Sequence, residues 1–177
     1  MPQLAVAVLG PDQPGVVARL AQVLLADGGN LEDSSMTLLR GQFAMTLIVD
    51  VPRSADDVRH DLADVATSLD LLVSVRETSP DTDDLRPPAT PYVLRLHGAD
   101  QPGLLHRAAS LLATYDVNIT DLASRLVGSV AAPVYVMNVA CDVPTSAAVD
   151  ALVAAVDALA GELGVEASLR PADFDLL

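Results

Sequence analysis

Asp12 and Asp100 sit in two near-identical corners, GPDQPG at Gly10–Gly15 and GADQPG at Gly98–Gly103, each running into an apolar stretch. A carboxylate accepts hydrogen bonds from positive charge, whereas the amides that open a helix, near Gly15 and Val16, lack intrahelical acceptors and favour an anion. Each corner thus joins an acceptor to a set of donors. Gly15 has no side chain to hold a ligand off the backbone. Further on, Asn30 and Asn118 stand at matched places, and an Asn amide donates and accepts at once. A plainer reading accounts for the same residues: Asp12 caps the helix that Pro14 begins, and each Asn closes a helix-to-strand turn.

Other chemistry finds little support. His60, His97 and His106 are scattered and form no zinc pair, so no metal or cofactor is expected. Cys141 aligns with Val49 on the inward side of a strand and reads as a small core hydrophobe. Ser34 and Ser35 stand beside Asp33 without the glycines of a nucleophile elbow. Arg95 and Arg125 occur only in the second copy, where Ala7 and Thr37 stand in the first; surface ion pairing is their expected use, reaching a ligand carboxylate the other. The chain is not expected to be an enzyme.

The elements that position these residues come in duplicate. Leu4, Val6 and Val8 alternate as a strand that stops at Gly10, and Val16, Leu20, Val23 and Leu24 follow at helical spacing until Gly28-Gly29. Two strands at Asn30 to Arg40 and Gln42 to Val51 meet at Gly41 as a hairpin. Ser54 then offers a cap to a helix striped by Val58, Leu62, Val65 and Leu69, and a last strand covers Leu71 to Arg76. The order β-α-β-β-α-β is the split βαβ, ferredoxin-like arrangement, an α+β fold of antiparallel sheets with helices on one face.

The second copy repeats this at an offset of 88 residues, rising by four before its third strand, so that Val51-Pro52 answers to Val143-Pro144. Its strand opens at Tyr92, its helices at Pro102 and Ser146, its hairpin strands at Asn118 and Pro133, and its last strand at Val165. Two domains follow, residues 1–78 and 92–177. The Pro-rich acidic stretch 79–91 reads as a semi-rigid linker. Phe174 and Leu176-Leu177 form a tail with no assigned place.

Charge narrows the partners. The formal net charge is −14, all ten basic residues are Arg, and no basic cluster appears in the sequence. Direct nucleic-acid binding needs a concentrated basic face, and anionic membranes repel such a chain. The N-terminus lacks a signal peptide's basic region, no apolar run approaches bilayer length, and one Cys cannot form an intrachain disulfide, so a cytoplasmic location is expected.

A strand, Gly-x-Asp-x-Pro-Gly, an apolar helix and Asn-apolar-x-Asp together resemble the ACT domain, a small ligand-binding regulatory module. The tandem pair, with Asn30-Leu31-Glu32-Asp33-Ser34, is similar to the stand-alone double-ACT proteins typified by glycine cleavage system transcriptional repressors. The resemblance implies a free amino acid, glycine or serine, held between the first loop and the start of the second strand, often where two ACT units meet. Carried over, that gives Asp12, Gln13, Gly15 and Val16 with Asn30 and Leu31, and Asp100, Gln101, Gly103 and Leu104 with Asn118 and Ile119. Both loops are complete, which leaves room for two sites and departs from a simple one-site repressor. The implied protein is a homodimeric, non-enzymatic regulator that signals through protein contacts and acts on transcription only indirectly. The alternative is a docking module that binds no small molecule.

Overall fold

The structure is a computed structural model that describes residues 2–79, 87–129 and 132–172. The chain divides into two compact units, Met1–Leu85 and Arg86–Leu177. In the first, β1 (Gln3–Pro11), α1 (Val16–Ala26), β2 (Asn30–Leu39), β3 (Gln42–Asp50), α2 (Ala55–Leu69) and β4 (Leu72–Thr78) follow the expected order. Its sheet is antiparallel with strand order β2-β3-β1-β4. In the second, β5 (Ala89–Ala99), α3 (Leu104–Thr114), β6 (Asn118–Ser129), β7 (Ala132–Pro144), α4 (Val149–Leu163) and β8 (Glu166–Pro171) repeat it, with order β6-β7-β5-β8.

Burial follows the sequence period. Leu4, Val6 and Val8 of β1 and Phe43, Met45, Leu47 and Val49 of β3 are buried against Val16, Leu20 and Leu24 of α1 and Val58, Leu62 and Val65 of α2. Burying each such side chain contributes about 1.5–3 kcal/mol. In the second unit Leu94, Leu96, Met137, Val139 and Cys141 meet Leu104, Leu112, Leu152 and Val156. Cys141 is thus a core residue, and burial together with nearby Asp142 pushes its thiol up to about 11.

Several boundaries differ from the sequence reading. β5 begins at Ala89, not Tyr92, because Ala89, Thr90 and Pro91 continue the ladder opposite Pro144, Val143 and Asp142. α3 begins at Leu104 after a turn at Pro102-Gly103, and α4 at Val149 rather than near Ser146, since Ala147 N–H closes a turn on Pro144 O. The four added residues lengthen the β6–β7 hairpin: its strands have 12 and 13 residues against 10 and 9 in the first unit. Most of the linker, residues 80–86, and the tail with Phe174, Leu176 and Leu177 lie outside the described residues. Among the described residues no helix is long and apolar enough to cross a membrane.

Candidate functional site

Each corner is the bend between a first strand and the helix that follows it. β1 ends opposite Gln42, and Asp12 N–H then donates to Gly41 O at 2.9 Å, tying the loop to the tip of the β2–β3 hairpin. Gly15 is the residue at which α1 starts: its φ is 90°, no side chain caps the helix, and Arg19 N–H bonds to its carbonyl at 3.0 Å. Gly103 repeats this with φ 90° and an Arg107 N–H bond of 2.9 Å. The expectation that Asp12 caps a helix opened by Pro14 is therefore overturned. The left-handed turn at Gly15 moves the helix start two residues on and leaves the Asp12 carboxylate exposed.

An added Cβ at Gly15 or Gly103 would meet nothing within 4 Å. The space above the helix start is open. Asp12, Gln13, Gly15 and Val16 line one pocket of about 440 Å³, walled on its far side by Met36 and Phe43. The Val16 and Leu104 side chains are buried in their cores, so each contributes backbone rather than side chain to its corner. Gln13 and Gln101 have a second engagement: Gln13 Nε2 donates to Leu69 O at 3.0 Å and Gln101 Nε2 to Leu163 O at 2.7 Å. Those carbonyls end α2 and α4, where intrahelical donors run out.

Asn30 and Leu31 lie elsewhere. Asn30 opposes Asp50, which in turn opposes Gln3, whereas the corner follows the Pro11–Gln42 end of the same sheet. The 11 residues of α1 separate them by about 16 Å. Asn30 Nδ2 donates to Glu32 Oε1 at 2.6 Å, and Asn30 and Leu31 border a second, apolar groove of about 330 Å³ along Leu20, Leu24 and Leu25. In the second unit Asn118 and Ile119 pair with Asp142 and Cys141, far from Asp100, Gln101 and Gly103 beyond the Ala99–Val134 end. No single unit brings its corner and its Asn together.

Sequence reasoning missed one polar cluster. Asp27 is buried, and Arg53 Nη1 lies 2.7 Å from its Oδ1 and 2.8 Å from Asp61 Oδ2, while Asp27 Oδ2 has no hydrogen-bond partner among the described residues. Burial raises the Asp27 carboxyl above its ordinary range, against the pull of Arg53 and with the help of Asp61. Its only sequence signal is an acid in the last turn of an apolar helix. At the matched place in the second unit stands Tyr115, whose hydroxyl donates to Ala151 O at 3.3 Å. Both arrangements pin the end of a first helix to a second.

Other candidates stay apart. Among the described residues no group of His, Cys, Asp and Glu could hold a metal ion. Ser34 and Ser35 are exposed along β2, and Ser34 N–H bonds to Asp33 Oδ1 at 2.7 Å. The surface ion pairs expected of Arg95 and Arg125 are not formed with any described residue, and both side chains project from an exposed sheet face.

Residues 3–76 and residues 92–157 each match the ACT domain family. The glycine cleavage system transcriptional repressor of Escherichia coli is 30% identical over 124 residues, 69% of this chain and 64% of the repressor. The chain thus spans just under two thirds of that relative. A phosphoserine phosphatase of Mycobacterium tuberculosis is 30% identical over 117 residues, 64% of this chain but 28% of that enzyme. A protein of unknown function from Galdieria sulphuraria shares the fold over 97% of this chain and 99% of its own, with a TM-score of 0.82 at 23% identity.

Proposed function

The chain belongs to the ACT-domain family, with two such domains in tandem, and on that premise we propose that it is a regulator that binds a free amino acid at its duplicated corners. The bound state is passed on through contacts with another protein. The observation that carries this reading is the repeated open helix start: Gly15 and Gly103 both at φ 90°, both with free space above them, each three residues after an exposed aspartate. A zwitterion fits such a corner, its carboxylate on the helix-start amides and its ammonium on Asp12 or Asp100. Helix-terminus contacts contribute about 0.3–2 kcal/mol. A millimolar dissociation constant, about −4 kcal/mol, is the affinity to expect.

Asn30 and Leu31 join the site only if they come from a different unit than the corner they complete, and Asn118 and Ile119 likewise. Two copies of the chain meeting along α1 and β2 would supply them. The apolar side chains exposed there, Val17, Leu25, Leu31, Met36 and Leu38, support such a homodimer. Glycine is the ligand suggested by the name of the Escherichia coli relative, with serine beside it on the resemblance alone. With a net charge of −14 any effect on transcription runs through a protein partner rather than DNA. The protein works in the cytoplasm, its two domains joined by the segment between β4 and β5.

The test is a thermal-shift panel of the common amino acids on the full chain. A ligand at 100 times its dissociation constant stabilises by about 2.7 kcal/mol. Asp12→Ala with Asp100→Ala removes that response and leaves the fold intact. A second reading, a docking module without a ligand, draws on β2, which is exposed at all ten positions along a sheet edge. No shift with any amino acid favours that module.

A further inference from the structure

The two sheets share a fold but not a charge pattern on the face turned away from the helices. In the second unit Leu94 and Leu96 of β5 and Leu169 of β8 are buried under the helices, so Arg95 and Arg170, one position along, project from the opposite face. Arg125 joins them: it opposes Val136, which opposes His97, on the same side as Arg95. The three arginines are exposed and run diagonally across the sheet, from β6 through β5 to β8. None has an ion-pair partner among the described residues. Between them lie half-buried Val93, Val136 and Ala140, and Asn138.

Carboxylates occupy the other corners of this face. Asp121 and Asp142 lie at one end, and Glu166 faces His97 at 3.2 Å at the other. They equal the arginines in number, but among the described residues none pairs with an arginine of the diagonal. In the first unit Ala7 and Thr37 stand where Arg95 and Arg125 stand, and only Arg76 matches Arg170. The diagonal belongs to the second unit alone, and it collects three of the ten cations of a chain with net charge −14.

From this we infer that the open sheet face of the second unit docks an acidic, extended segment of a partner protein, an inference that rests on the reading of the chain as a regulator acting through protein contacts. Strands lie about 4.8 Å apart, and same-face residues about 6.8 Å apart along a strand. The guanidinium-bearing positions are then separated by about 12 Å and about 8 Å. An extended segment rising about 3.3 Å per residue meets them with acids at i, i+4 and i+6, all on one of its faces. An apolar residue at i+2 falls over β7, between Val136 and Asn138. Each guanidinium can take a carboxylate through two parallel bonds. Three cations bordered by three carboxylates are too few to hold a nucleic-acid backbone.

The experiment uses the full chain and a fluorescein-labelled peptide with glutamate at its first, fifth and seventh positions, valine at the third and threonine between. Fluorescence anisotropy reads its affinity beside that of the same peptide with lysine for glutamate and of a single-stranded oligonucleotide. The expected result is binding of the glutamate peptide alone, about ten-fold weaker when Arg95→Gln, Arg125→Gln and Arg170→Gln are combined and unchanged by Arg76→Gln. Equal affinity in the triple variant, equal binding of the oligonucleotide, or no peptide binding by the unmodified chain overturns the inference. Self-association that the triple variant abolishes also overturns it, by giving the face to a second copy. The amino-acid thermal shift is read separately on the unmodified chain and on Asp12→Ala with Asp100→Ala, so failure of ligand sensing and failure of the docking face are told apart.

Discussion

Gln13 reaches across the first unit to the end of its second helix, where its Nε2 donates to Leu69 O at 3.0 Å. The residues are 56 apart in sequence, and Gln101 makes the same bond to Leu163 O at 2.7 Å in the second unit. The glutamine that a motif reading assigns to a ligand thus also fastens the corner to α2. Gln13→Leu should cost about 1 kcal/mol through the orphaned carbonyl. Chemical denaturation measures it, and an amino-acid response that survives the substitution would place Gln13 among residues that position the corner.

Gly10 and Gly98 end β1 and β5 where another backbone passes close by. A Cβ on Gly10 would lie 2.6 Å from Leu71 Cδ2 and 2.8 Å from Asp70 O, and one on Gly98 2.5 Å from Val165 Cγ1. Gly10→Ala or Gly98→Ala should destabilise by about 1–3 kcal/mol through overpacking. Gly15→Ala has open space around it and meets only the cost of a left-handed backbone, about 1–2 kcal/mol. Urea midpoints of the three variants test the order.

Asp27 makes the first unit pH-sensitive. Its carboxyl titrates above its unfolded value of 3.8, so the folded state keeps a proton that the unfolded chain has lost. That contribution is full below the unfolded value and fades as pH rises through the folded one. Arg53 opposes the shift. Arg53→Met should therefore cost about 2 kcal/mol at neutral pH, below the full price of a broken buried pair because Arg53 is partly exposed. The loss should shrink at acidic pH, and Asp27→Asn should reduce the difference between the two conditions to what the Arg53–Asp61 pair contributes.

Asp116 occupies a left-handed turn with φ 56°, where the first unit has Gly28 at φ 75°. Asp116→Gly should raise stability by about 0.5–1 kcal/mol, since the backbone strain of the non-glycine residue is relieved. A thermal midpoint that falls instead would show that the Asp116 side chain holds the helix end.

The duplicated β-α-β-β-α-β order was present in the sequence by itself, because alternation at Leu4, Val6 and Val8 and the stripe through Val16, Leu20 and Leu24 are local periods that burial of one face imposes. So were the Ser54 cap, which accepts Asp57 N–H at 3.2 Å, and the core place of Cys141. Only the tertiary structure decided that Asn30 stands at the far end of the sheet from Asp12, that Gly10 makes room for Leu71, and that Arg95, Arg125 and Arg170 share one face. These relations join residues tens of positions apart through strand register, and a repeat read along the chain carries no record of which end of a sheet each strand enters.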